Sequence, residues 1–235
     1  MRKAALPPFR LALLALLALC LALPASASAL SKKEAEAILQ DTFTIHGYME
    51  LDGEKDYAGK PGNVAAAALF GVFDAAMARQ AEERPQPKNA PLFTVAGQAL
   101  APGEFVMRDG NPGLFKGRPS KYNCFASRRA AELAALRFTG RGIKTHVAPT
   151  EGVLAGTILT DKGYFFAIDG LGDLGVEPVL KKIEPRGSGF VLTGAVEATM
   201  DGGDDGGKPA AFRLVLEPGD APGTWKRQLS VKKAR

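Results

Sequence analysis

The chain is expected to adopt an α+β fold in which N-terminal helices pack on a curved antiparallel sheet laid out as a meander. Three observations predict it. Apolar residues recur at helical spacing through the first half of the chain, and three later pairs of strand-like segments each flank a turn rich in Gly or Pro. The helical patterns precede the strands instead of alternating with them, which separates this class from a parallel α/β sheet.

Residues 1–29 are set apart first. "MRKAALPPFR" carries Arg2, Lys3 and Arg10, the apolar run "LALLALLALCLAL" follows, and Pro24 and "ASASA" close it. That is the three-part layout of a secretory signal peptide, with cleavage expected between Ala29 and Leu30 and a periplasmic or secreted product. The apolar run is shorter than the ~20 residues of a spanning helix, so no transmembrane span is expected. The alternative is a lipoprotein modified at Cys20, but Leu19 stands before it where that processing prefers a small residue. Removing 1–29 leaves 206 of the 235 residues and takes away three positive charges, so the net charge falls from +5 to +2. Residues 30–235 are enough for one domain with its own core. Cys124 is the only cysteine in them, so packing and not a disulfide within the chain must hold the fold.

The elements follow in order. "LSKKEAEAILQ" places Ser31 and Glu34 in capping-box spacing and predicts a helix to about Phe43. His46 to Asn63 is polar and punctuated by glycine, a loop with room for a short strand. Asn63 is then expected to cap "VAAAALFGVFDAAMARQAEER", a core helix ending before Pro85, with Leu69, Phe70, Phe73 and Met77 on one face. "PQPKNAP", residues 85–91, reads as an internal linker. "FTVAGQAL" and "EFVMRDG" read as the arms of a loose hairpin around "APG", and a third helix is expected over about Asn123 to Phe138. Three hairpins complete the chain: "VLAGTILT" with "YFFAID", "PVLKKIE" with "GFVLTGAVEAT", and "AAFRLVLE" with "TWKRQLSVK". Phe190, Leu192, Val196 and Ala198 alternate along one strand, as do Phe212, Leu214 and Leu216, and then Trp225, Leu229 and Val231. One buried and one wet face is therefore expected.

Site candidates are few. "MDGGDDGG" groups Asp201, Asp204 and Asp205, the candidate ligands of a weak Ca²⁺ site. An EF-hand counted from Asp201 would need an oxygen ligand at Gly203 and a glutamate at Phe212, so the preferred reading is a hairpin tip. Cys124 falls in the first turn of the expected third helix, where the dipole would favour a thiolate, and His146 follows 22 residues later. Cysteine at a helix start followed by a histidine is similar to the order in papain-like and cell-wall cysteine peptidases, and it makes Cys124 and His146 the catalytic candidates of a hydrolase or transferase. His46 and His146 are the only histidines, and they lack the paired spacing of a zinc site. No cofactor is expected. Between Lys116 and Lys144 eight basic residues face one acid, Glu132, so Arg128 and Arg129 are candidate contacts for an anionic, partly apolar ligand. Export makes nucleic acid an unsuitable partner.

Three helices followed by an antiparallel meander with long hairpins, over Ser31 to Lys232, resemble the nuclear-transport-factor-2-like cone in element order. That resemblance implies a pocket between helices and sheet, lined by residues such as Phe70, Phe73 and Phe190, or a packed cone used for protein contacts. The leading expectation is an exported, non-enzymatic domain that binds a small apolar or anionic ligand or an envelope partner. The alternatives are the Cys124–His146 enzyme and a structural domain that pairs with another chain through an edge strand such as "TWKRQLSVK".

Overall fold

The computed structural model describes residues 30–48, 55–56, 60–81, 87, 89–168, 175–199 and 210–232. The chain divides into two units, Met1–Leu30 and Ser31–Arg235, and every helix and strand given below lies in the second.

Helix α1, Lys32–Tyr48, starts where its capping box predicts. Ser31 N–H donates to Glu34 Oε2 at 3.0 Å and Glu34 N–H donates to Ser31 Oγ at 3.2 Å, so two orphan donors of the first turn are satisfied reciprocally. The Ser31 hydroxyl, donating to Glu34 Oε2 at 2.6 Å, and then the Ser31 N–H hold the Glu34 carboxyl below its ordinary range. The helix runs past Phe43 and carries His46 within it, not in a loop. Strand β1 is the pair Lys55–Asp56.

Helix α2, Pro61–Ala81, starts at Pro61 rather than after Asn63. Pro61 has no N–H to leave unsatisfied in a first turn, and the Lys60 carbonyl accepts from Asn63 and Val64 instead. Val64 to Val72 is buried without interruption, while Met77 is 38% exposed, so the expected apolar face stops at Phe73. Among the described residues only α2 is long and apolar enough to cross a membrane, and over half of that stretch is covered by protein. Gly71 allows the close approach to the next helix, because a Cβ there would lie 2.2 Å from the Phe138 ring.

Strands β2, Phe93–Val95, and β3, Gln98–Leu100, turn at Ala96 and Gly97, so the hairpin is contained in "FTVAGQAL". Strand β4, Phe105–Met107, belongs to a different sheet. The expected third helix divides. Residues Cys124–Ser127 form strand β5, and helix α3 spans Arg128–Thr139 with Ser127 as its cap, accepting from Ala130 N–H at 2.9 Å. Strands β6, Ile158–Leu159, and β7, Gly163–Phe166, complete a four-stranded antiparallel sheet in the order β4-β5-β7-β6.

The last four strands are β8, Gly175–Arg186, β9, Gly189–Thr199, β10, Ala210–Pro218, and β11, Trp225–Lys232, and with β1 they form a second sheet ordered β1-β11-β10-β9-β8. All pairings in both sheets are antiparallel, so the α+β class holds. The strands are shared among three sheets, and the element order that resembles the cone does not by itself form one. Leu192, Leu214 and Leu229 pair across the second sheet and are buried together. Val191, Ala195 and Val215 are also buried on its other face, where Arg213 and Gln228 stay exposed, so the face expected to be wet is wet only in part.

Helix α3 packs on α2 and reaches both large sheets. Buried Arg227 of β11 fixes the arrangement on one side. It donates to the Arg137 carbonyl at 2.7 Å and Thr42 Oγ1 at 3.0 Å, with the Asp41 carboxylate 3.8 Å away, so one charge ties β11 to α1 and α3.

Candidate functional site

Cys124 does not sit at a helix N-terminus. It is fully buried in β5, opposite Met107 of β4 and Phe166 of β7, and no helix dipole acts on it along the expected axis. Catalysis by a thiolate needs access and a base, and burial removes the first.

His146 lies in the connection after α3, as expected, and its side chain is 14% exposed. Both ring nitrogens are engaged: Nδ1 lies 2.9 Å from Tyr164 Oη and Nε2 lies 2.9 Å from Glu132 Oε1. Val147 N–H also donates to Tyr164 Oη. A neutral Nε2–H imidazole satisfies the whole chain, with the tyrosine hydroxyl donating to Nδ1 and Nε2–H donating to the carboxylate. Burial of the phenol pushes its pKa up to about 12, so it stays a donor across the physiological range. The group therefore fastens the 140–150 connection to α3 and β7. It leaves neither imidazole nitrogen for the Cys124 thiol.

The basic run is dispersed among structural roles. Arg128 donates twice to the Thr160 carbonyl, and Arg129 pairs with Glu104 and donates to the Ala99 carbonyl. Arg137 meets Asp41 at 3.5 Å and lies over the rings of Phe93 and Phe138. Arg108, Arg118 and Lys121 cover a satellite cluster of Phe115, Tyr122, Phe125 and Phe165. These guanidinium and ammonium groups stack on rings or bind carbonyls and do not converge on one point.

Phe70 and Phe73 lie one turn apart on α2, and Phe190 lies on β9 of the second sheet. Phe70 is buried in α2, Phe73 meets Phe105 at a 6.4 Å ring separation, and Phe190 meets Trp225 at 5.5 Å on the second sheet. Asp201, Asp204 and Asp205 lie outside the described residues, as does the side chain of His46. Among the described residues no three His, Cys, Asp or Glu side chains gather as a metal set.

The concavity lies elsewhere. A groove of about 650 Å³ runs between the C-terminal half of α2 and β4, the edge of the four-stranded sheet. Ala76, Leu92, Phe105, Val106 and Met107 give it apolar walls, and Arg79, Gln80 and Asp109 stand among its polar lining. Arg79 is held in place, because its guanidinium donates to the carbonyls of Ala90 and Pro87. Gly103 and Gly110 also line it, and a Cβ at either would meet no atom within 4 Å. The sequence signal for this site was the glycine-broken segment "APGEFVMRDG", which reads as a hairpin arm until β4 is seen to pair with β5.

Comparison of the chain with protein-family models, with curated proteins and with solved structures returns no match.

Proposed function

We propose that this is an exported, non-enzymatic binding domain that holds a partly apolar ligand in the groove between α2 and β4. The observation that carries the reading is the groove itself. Its volume of about 650 Å³ falls in the range of small-ligand sites, and it combines apolar walls with a few fixed polar groups. The cysteine hydrolase or transferase reading has less support, because Cys124 is buried in a strand and both nitrogens of His146 are occupied. Export rests on the segment ahead of Leu30 and predicts a secreted or periplasmic product beginning at that residue.

The test uses 8-anilinonaphthalene-1-sulfonate, an anionic aromatic dye, with the wild-type protein and Gly103→Trp. Gly103 lines the groove, and its backbone accepts a side chain without strain, so an indole there alters the groove's lining. Saturable dye fluorescence that weakens about tenfold or more in the variant, at unchanged melting temperature, supports the groove as the site. Equal dye binding by both proteins sinks the proposal.

A further inference from the structure

We propose that the ligand of this groove is an extended peptide that adds to β4 as a parallel strand, an inference that rests on the binding function given above. The backbone at the groove carries it. Arg108 N–H donates to the Asn123 carbonyl at 2.8 Å, and in an antiparallel ladder peptide groups alternate in direction along the strand. Val106 and Arg108 therefore turn theirs towards β5, while Phe105 and Met107 turn theirs away from it, on the side where no described strand pairs with β4.

Two of those four outward groups are already used. Phe105 N–H donates to the Pro102 carbonyl, and the Met107 carbonyl accepts from Asn111 N–H at 3.3 Å. The Phe105 carbonyl and the Met107 N–H have no partner among the described residues. An acceptor at one residue and a donor two residues on is the pair that one residue of a parallel strand satisfies, by donating its own N–H and accepting at its own carbonyl. An antiparallel strand would spread these bonds over two residues and leave each with an unmet group. The parallel sense fits the vacant groups and the occupied ones alike.

The groove also sets the side chains of the guest. Side chains on the α2 side of the added strand would meet Ala76 and Leu92, so apolar residues belong there. Asp109 lines the same groove, is exposed, and makes no ion pair among the described residues. A lysine or arginine in the guest would complement it. The partner is thus a short extended segment with an apolar residue and a basic residue, bound through its main chain.

Panning phage-displayed random heptapeptides on the full mature protein supplies the probe, with Gly103→Trp as the counter-selection. The decisive variant is Met107→Pro. Met107 has φ −86°, close to the angle a proline ring holds, and its N–H has no partner among the described residues. Met107→Ala controls for the lost side chain. Enriched peptides that bind Met107→Pro about tenfold more weakly than Met107→Ala, and that slow hydrogen exchange at the Met107 amide of the wild type, establish strand addition. Equal binding to the Ala and Pro variants overturns it, as does an unprotected Met107 amide. Dye binding that Gly103→Trp abolishes, together with no enriched peptide, overturns strand addition and leaves the groove reading standing. Loss of both overturns both.

Discussion

Replacing Gly140 by alanine tests how the C-terminus of α3 is joined to the second sheet. Gly140 ends the helix at φ +67°, with its N–H donating to the Leu136 carbonyl. Two separate costs are expected of an alanine there. A left-handed conformation costs a residue with a Cβ about 1–2 kcal/mol. The Cβ would also lie 2.1 Å from the Trp225 carbonyl carbon and 2.3 Å from Lys226 N. Those are backbone atoms of β11, held by the pairs Pro218↔Trp225 and Glu217↔Lys226, so they cannot yield as a side chain would. Overpacking of this kind costs roughly 1–3 kcal/mol. The sum is about 2–5 kcal/mol, or roughly 5–20 °C in melting temperature for a domain of this size. Urea titration with an unchanged slope measures it. Gly117→Ala isolates the first cost, because Gly117 has φ +76° and nothing within 4 Å of the added Cβ. If Gly140→Ala loses no more stability than Gly117→Ala, the close approach of α3 to β11 is wrong.

Tyr164→Phe removes the hydroxyl shared by His146 and Val147 and leaves both without that partner, so a loss of about 1–3 kcal/mol is expected by chemical denaturation. In spectrophotometric titration of the native protein, Tyr164 should be absent from phenols ionising near pH 10, since its pKa stands at about 12. Asp74 in α2 has its carboxyl pushed up, by burial first and by Asp41 second, against the opposing charge of Arg137. A folded pKa above the unfolded value means the native state holds the proton longer, so its contribution grows as pH falls through that value and is lost as pH rises above it. Asp74→Asn should therefore raise the melting temperature at pH 7 and flatten its dependence on pH below neutrality. A lower melting temperature at pH 7 would contradict this placement of the carboxyl.

Much of the fold was legible because its signals are local. The Ser31–Glu34 box, the glycine after α3 and the turns joining β8 to β9 and β10 to β11 each act within a few residues, and each lies where its chemistry requires. What escaped depends on which strand pairs with which. "FTVAGQAL" closes on itself at Ala96–Gly97, and "EFVM" is then left to find Phe125 and its neighbours about twenty residues later. Nothing in the alternation of either segment distinguishes that choice from one long hairpin. Burial on both faces of β9 and β10 was hidden for a similar reason. Val191 and Val215 sit opposite each other across the pair, and pairing decides that two valines on the nominally wet side shield one another.

The candidate site moved for a reason that can be traced to four residues. Asn123 and Ser127 are both good helix caps, and "CFA" between them has no residue that forbids a helical turn. Capping at Asn123 would have put Cys124 in the first turn. Capping at Ser127 leaves Cys124, Phe125 and Ala126 extended between β4 and β7, where Phe125 packs with Phe165 at 4.9 Å on one face and Cys124 is buried on the other. A helix would separate Phe125 from Phe165 and strip β4 and β7 of the strand between them, so the sheet chooses the cap and the thiol becomes core. The same choice exposes the far side of β4. With β5 in place, β4 is paired on one side only among the described residues, and its remaining donor and acceptor lie along the groove. The residue that looked reactive and the residues that line the groove thus owe their positions to one competition between caps, which tertiary pairing settles and local sequence does not.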